Sequence, residues 1–164
     1  MNSAIERLLS LRVSDIMRRD VIQVSAHESM GAAASRMLQH EISGAPVVDE
    51  YGHCVGILSA IDFVRHESDI QQANQSVEAS VLFRSCYDAM TRPSVALGQE
   101  DDLVQTHMTP GVQAVAADTP LLDAARIMCG AHVHRLPIMD AAGHVEGIIT
   151  TLDLVAAMVQ AIDE

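Results

Sequence analysis

The chain has 164 residues, about half of them apolar, and its ten cations, all arginine, face 22 acidic residues for a formal charge of −12. That balance disfavours a nucleic-acid or anionic-membrane surface, which needs clustered cations to displace counterions. The absence of lysine excludes Schiff-base chemistry and a phosphate-loop lysine, and the scarcity of aromatics argues against base-stacking platforms.

Residues 1–12 form an amphipathic helical lead-in, with Glu6 and Arg7 where a signal peptide would be apolar. No apolar run approaches the ~20 residues that span a bilayer, so the expectation is a cytoplasmic protein with no membrane partner. Cys54, Cys86 and Cys129 are an odd set without paired spacing, expected to be reduced and mostly buried.

An internal repeat organises the rest. Shifting the chain by 91 positions aligns 13–65 with 104–156 without a gap, and 16 of 53 positions are identical. Among them are Met17 with Met108, Pro46 with Pro137, Asp49 with Asp140, Gly56 with Gly147 and Asp62 with Asp153.

Each copy reads the same way in chain order. Val21 to Val24, and Val112 to Val115, alternate as short strands. A helix follows, buried through Met30, Ala33, Ala34, Met37 and Leu38, or through Leu121, Ala124, Ala125, Met128 and Cys129. In the second copy Thr119 is the expected N-cap, Pro120 the first-turn residue and Gly130 the exit, while capping is less clear in the first. Two apolar runs then flank Asp49 to Gly52, or Asp140 to Gly143, as a hairpin. A closing helix begins near Ser59 or Thr150, with Ile61 and Val64, or Leu152, Val155, Val159 and Ile162, expected to face inward.

The predicted fold is α/β (α+β): two β-α-β-β-α repeats, 13–65 and 104–164, packed about a pseudo-two-fold axis because one unit buries too little alone. Residues 66–103 form an acidic helical or loop insert, with a surface helix expected from Val77, Val81, Leu82 and Ala89. Asp88 to Met90 echoes Asp15 to Met17, without room for a third copy.

These residues resemble the paired cystathionine β-synthase (CBS) domains, the Bateman module. The resemblance is carried by Asp15-Ile-Met17, Gly44-Ala-Pro46-Val-Val-Asp49 and Gly56-Ile-Leu-Ser59-Ala-Ile-Asp62. The second copy has Arg135-Leu-Pro137-Ile-Met-Asp140 and Gly147-Ile-Ile-Thr150-Thr-Leu-Asp153. It covers nearly the whole chain outside the insert. It implies a regulatory, non-catalytic module that binds AMP, ADP, ATP or S-adenosylmethionine in the cleft between repeats, with no resident cofactor. It also implies a homodimer acting on itself or on a target protein.

The last motif carries the chemistry. Ser59 or Thr150 stands where a strand hands over to a helix, and its hydroxyl with the first-turn N–H groups can receive an anion. Asp62 or Asp153 presents a carboxylate able to accept from two vicinal hydroxyls, as in a ribose. The resemblance gives the ribose to that Asp and the phosphate to the hydroxyl residue. It gives the adenine to backbone near the first two strands, at Ile22 and Ala45 or at Gln113 and Leu136. The same Ser/Thr-x-x-Asp spacing also describes a helix cap, and a structural dimer with empty clefts is the alternative.

Cations distinguish the copies. His134 and Arg135 precede the middle strand of the second, where an Arg could grip phosphate and Gly44 could not. Arg18 and Arg19 follow Met17 in the first copy, and spacing does not say which cleft they serve. His132-Val-His134 lacks a nearby third metal ligand, so no metal site is expected, and no nucleophile elbow, dinucleotide loop or His-Glu-x-x-His suggests catalysis.

Overall fold

The computed structural model describes residues 2–73 and 102–163. In chain order its elements are α1 (Asn2–Ser10), α2 (Val13–Ile16), β1 (Val24–Ser25), α3 (Met30–Gln39), β2 (Gly44–Val48), β3 (Cys54–Ser59) and α4 (Ala60–Ala73). There follow α5 (Val104–His107), β4 (Thr109–Pro110), α6 (Leu121–Ala131), β5 (Arg135–Met139), β6 (Val145–Thr150) and α7 (Thr151–Asp163).

They form two compact units that cut across the repeat frame. One comprises Ile22–Val112, the other Met1–Val21 with Gln113–Glu164. Each unit therefore joins the body of one repeat to the lead-in of the other. In the first, the amides of Val104 and Gln105 donate to the carbonyls of Glu28 and Ala26 at 2.9 and 3.0 Å. In the second, the equivalent amides of Val13 and Ser14 donate to Thr119 and Ala117 at 2.9 and 2.8 Å. These bonds serve helix-start N–H groups that have no intrahelical acceptor.

Within residues 22–112 the sheet order is β1-β2-β3-β4, with β1 parallel to β2 and the others antiparallel. Its core is Val24, Met30, Ala33, Met37, Ala45, Val47, Leu58, Phe63 and Val104. The other unit has the β5-β6 hairpin, and single bridges from Val115 to Ile138 and from Arg18 to Ile148 stand where β1 and β4 stand in the first. Val13, Leu121, Ala124, Met128, Leu136, Ile138, Ile149, Leu154 and Ala157 fill its core. Both hairpins turn through a glycine of positive φ, Gly52 at 83° and Gly143 at 90°, a conformation glycine adopts without steric cost. At these turns Asp49 and Asp140 accept the amides of His53 and His144.

Several expectations are corrected. The strands read at 21–24 and 112–115 shrink to Val24–Ser25 and to the Val115 bridge, because only those residues reach a neighbouring strand. Capping is reversed between copies: Ser29 caps α3 by accepting the Ala32 amide, while the cap of α6 falls on Pro120, whose side chain can accept nothing. Helix α6 runs through Gly130 to Ala131, and its C-cap His132 takes the left-handed conformation itself, φ 54°.

The buried face of the closing helices also differs. Val64 is buried, but Ile61 is exposed, as are Leu152, Val155, Val159 and Ile162; Phe63, Leu154, Ala157 and Ala161 face the core instead. Helix α7 carries two apolar stripes, and the one with small alanines is packed inward. The thiols are not mostly buried: Cys54 is half-buried and Cys129 exposed. The insert read as 66–103 begins inside α4, which continues to Ala73. The helix expected around Val77 to Ala89, the Asp88 to Met90 echo and Cys86 lie outside the described residues.

Candidate functional site

Each Ser/Thr-x-x-Asp motif folds into the same turn, at the junction of a strand and a helix. In residues 22–112, the Ser59 amide and hydroxyl donate to Asp62 Oδ2 at 2.7 and 2.8 Å. In the other unit the Thr150 amide and hydroxyl donate to Asp153 Oδ2 at 2.8 and 2.6 Å. The cap anticipated from spacing is thus real in both copies. It occupies only one oxygen of each carboxylate, so capping and ligand binding are compatible.

The other oxygens have unlike surroundings. Asp153 Oδ1 meets the Arg18 guanidinium, Nη2 at 3.1 Å and Nε at 3.3 Å. Asp62 Oδ1 accepts the Thr109 hydroxyl at 3.3 Å and lies 3.6 Å from Arg65 Nη1. Arg18 and Thr109 are equivalent under the 91-residue shift, so the exchange of lead-ins decides which Asp receives the cation. The Asp62 side chain is 1% exposed and that of Asp153 is 11%, with its Arg18 partner 65% exposed. Of the two, Asp153 is the carboxylate a solute could reach by moving a surface side chain.

Electrostatics agree with geometry at Asp153. Burial alone would push its carboxyl upward, but the Thr150 hydroxyl and amide and the Arg18 guanidinium outweigh it and hold its pKa below the ordinary value. It is a carboxylate at neutral pH. Arg135 pairs across the hairpin with Thr150, bringing a second cation into the same stretch, and burial lowers its pKa. In the first copy that register position holds Gly44 opposite Ser59.

The remaining residues fall unevenly. His134 is exposed, and its carbonyl accepts the Thr151 amide at 3.0 Å, so one helix-start donor is already used. The Asp153 amide is also engaged, by Thr150 Oγ1 at 3.3 Å. Ala45 and Leu136 have fully buried side chains and can offer a ligand only backbone. Arg19 and Gln113 are exposed and Ile22 is half-buried, with no bond from their side chains to either turn among those described. Arg18 therefore joins Thr150 and Asp153, with Arg135 opposite Thr150 in the hairpin register; Ser59 and Asp62 gather Thr109 and Arg65 instead. Those last two were not anticipated, although the repeat alignment places Thr109 opposite Arg18.

A glycine in each copy makes room for the lead-in. A Cβ on Gly147 would stand 2.7 Å from Met17 Sδ and 3.0 Å from the Arg18 carbonyl oxygen. One on Gly56 would meet Met108 Sδ at 2.6 Å and the Thr109 carbonyl at 2.9 Å. The matched Met and Gly of the repeats are thus two sides of one contact, which fixes Arg18 beside Asp153 and Thr109 beside Asp62.

The chain is 28% identical over 162 residues to an uncharacterized protein of Methanocaldococcus jannaschii, with 90% of each chain covered. It is 27% identical over 154 residues to the chloroplastic CBS domain-containing protein CBSX2 of Arabidopsis thaliana, covering 90% of this chain and 63% of that protein's length. The crystal structure of CBSX2 in complex with AMP superposes with a TM-score of 0.70 at 25% identity, over 94% of this chain and 100% of that one. The CBS domain pair of protein MJ0100, in complex with 5-methylthioadenosine and S-adenosyl-L-methionine, gives 0.67 at 22% identity, over 89% and 98%, and shares the fold. The CBS domain family matches residues 13–69 and 102–160. The chain belongs to the CBS domain family and carries two copies of the domain in tandem.

Proposed function

We propose that this chain is a non-catalytic regulatory module that senses an adenosine-containing ligand, AMP, ADP, ATP or S-adenosylmethionine, at the Thr150–Asp153 turn. The observation that carries this reading is the Asp153 carboxylate, with Oδ2 anchored by Thr150 and, among the described residues, Oδ1 held by a mostly exposed arginine. Movement of Arg18 toward a ligand phosphate would release Oδ1 to a ribose hydroxyl, and Arg135 in register with Thr150 adds a second anchor for anionic groups. The likeness to CBSX2, crystallised with AMP, supports the ligand class. Ser59 and Asp62, more deeply covered, form the weaker site. Leu136 and Gln113, or Ala45 and Ile22, would meet adenine through backbone.

The reading extends to a homodimer formed through the exposed stripe of α7, to action on a target protein, and to a cytoplasmic setting where adenine nucleotides abound. No helix among the described residues is long and apolar enough to cross a membrane. A thermal-shift series with the four ligands tests the proposal, since a ligand at 100 times its Kd adds about 2.7 kcal/mol. A rise in Tm in the wild type that disappears in Asp153→Ala supports it. Unchanged melting with all four would favour the second reading, a structural dimer with empty sites, for which the exposed apolar stripe speaks.

A further inference from the structure

A second cluster lies in the Ile22–Val112 unit, made of residues the purine site does not use. His66 Nε2 is 2.6 Å from Asp102 Oδ2, and His107 Nε2 is 2.5 Å from Asp102 Oδ1. Their ligand-type atoms all lie within 4.8 Å of one another, and the imidazole centroids are 4.2 Å apart. His66 is 6% exposed, and Asp102 and His107 are half-buried. The Nε2 of His66 is buried without a hydrogen bond: it is close to the carboxylate but off the line along which an N–H would donate. A buried polar nitrogen aimed into a carboxylate-bearing cluster, yet not bonded to it, would in its unprotonated form offer a lone pair to a cation.

We propose that His66, Asp102 and His107 form a binding site for a zinc-class divalent cation. Two imidazole nitrogens with one carboxylate suit a borderline ion of this kind, whereas calcium and magnesium prefer all-oxygen sets. A tetrahedral ion bonded at ~2.0 Å separates its ligand atoms by about 3.3 Å. The two His–Asp contacts, at 2.6 and 2.5 Å, need open by less than an ångström to admit it, with water or a further group in the fourth position. Such an ion would fasten α4 to the Asp102–His107 stretch. His66 lies one helical turn beyond Asp62, and Thr109, which donates to Asp62, follows His107 by two residues, so the clamp would steady the first-copy turn.

The proposal stands apart from adenosine binding and is tested without it. Full-length protein is stripped with chelator, titrated with Zn²⁺ by calorimetry and with Co²⁺ by visible absorption, and compared with Asp102→Asn and His107→Gln. His107 is partly exposed, so its replacement opens no core cavity; circular dichroism checks both variants, and exposed His40→Gln is the control. One equivalent of metal in the wild type and control, with the intense visible bands of low-symmetry Co²⁺, and affinity more than ~100-fold weaker in both variants, is the expected result. No uptake by the wild type, or equal uptake by His107→Gln, would overturn the site and leave the three residues as an ionic cluster only.

Discussion

Arg18 and Asp153, 135 positions apart, meet through two guanidinium nitrogens on one carboxylate oxygen, the shorter contact 3.1 Å. The contact exists because the Met17–Arg18 lead-in is built against β6: the Arg18 amide donates to the Ile148 carbonyl and the Ile148 amide to the Arg18 carbonyl, both at 2.9 Å. The backbone of Arg18 is fixed, while its side chain is 65% exposed and meets Asp153 from the solvent side. In the function proposed above, such a side chain would cover the carboxylate without ligand and turn toward phosphate when one binds.

Phosphorylated and unphosphorylated ligands should therefore respond differently to arginine removal. Arg135→Ala is expected to weaken ATP more than AMP and to leave adenosine nearly unchanged, because a charge-assisted hydrogen bond is worth about 1.5–3 kcal/mol and adenosine forms none with it; Arg18→Ala should likewise weaken ATP and AMP but strengthen adenosine, whose ribose no longer competes with Arg18 for Asp153 Oδ1. Asp153→Ala should weaken all three alike, by roughly tenfold or more, through the shared ribose. Calorimetry on the three variants decides; equal losses for adenosine and ATP in Arg135→Ala would remove Arg135 from the phosphate site.

The Met–Gly contact predicts a stability effect. Gly147→Ala would place a methyl 3.0 Å from the Arg18 carbonyl and closer still to Met17 Sδ. The thioether can move, but the carbonyl belongs to the strand-like bridge with Ile148 and cannot move without breaking it. A loss of about 1–3 kcal/mol is expected, in the range of overpacked cores. Urea unfolding should show a lower midpoint, and Met17→Ala should relieve the sulfur clash but not the carbonyl one.

Much of this was legible in the sequence, for definite reasons. The hairpins announce themselves because Ala45 to Val48 and Val55 to Leu58 flank a turn that requires glycine at positive φ, and the Ser/Thr-x-x-Asp spacing reports a cap that forms in both copies. What could not be read depended on partners distant along the chain. The exchange of lead-ins gives Arg18 to Asp153, a choice no local pattern contains. Helix α7 offers two apolar stripes, and only packing selects Leu154, Ala157 and Ala161 for the core. His66 joins Asp102 and His107 across the fold, and only the last two are near in sequence.

Acid should expose the value of the Thr150–Asp153 cap. The Asp153 carboxyl is held below its ordinary 3.8, because hydrogen bonds from Thr150 and Arg18 exceed the opposing effect of burial. A group with a depressed folded-state pKa contributes stability above its unfolded value, and that contribution is lost as pH falls through the folded value. Asp153→Asn should be less stable than the wild type at neutral pH. The difference should begin to shrink near 3.8 and vanish at still lower pH, once the wild-type residue is also neutral. Urea midpoints measured across the acid range test the sign; a gap that widens on acidification would contradict it.

Association through α7 is the last expectation. Leu152, Val155, Val159 and Ile162 recur at intervals of three and four, which keeps them on one side of the helix, and they are 69%, 48%, 53% and 74% exposed. Single exposed apolar residues are ordinary, but four in one helical row mark a surface built for contact. The opposite stripe is already committed to burial through Leu154, Ala157 and Ala161, which leaves the row largely uncovered. A second copy presenting the same row can pair with it in an isologous, two-fold manner, excluding water from both. Val159→Glu should then shift the molecule from dimer to monomer by light scattering at micromolar concentration, because the carboxylates would be desolvated in the joint. The residue already faces solvent, so the variant monomer should retain its helical circular dichroism. A wild type that is monomeric under the same conditions, or a Val159→Glu variant that remains dimeric, would show that the row is not the surface through which the chains meet.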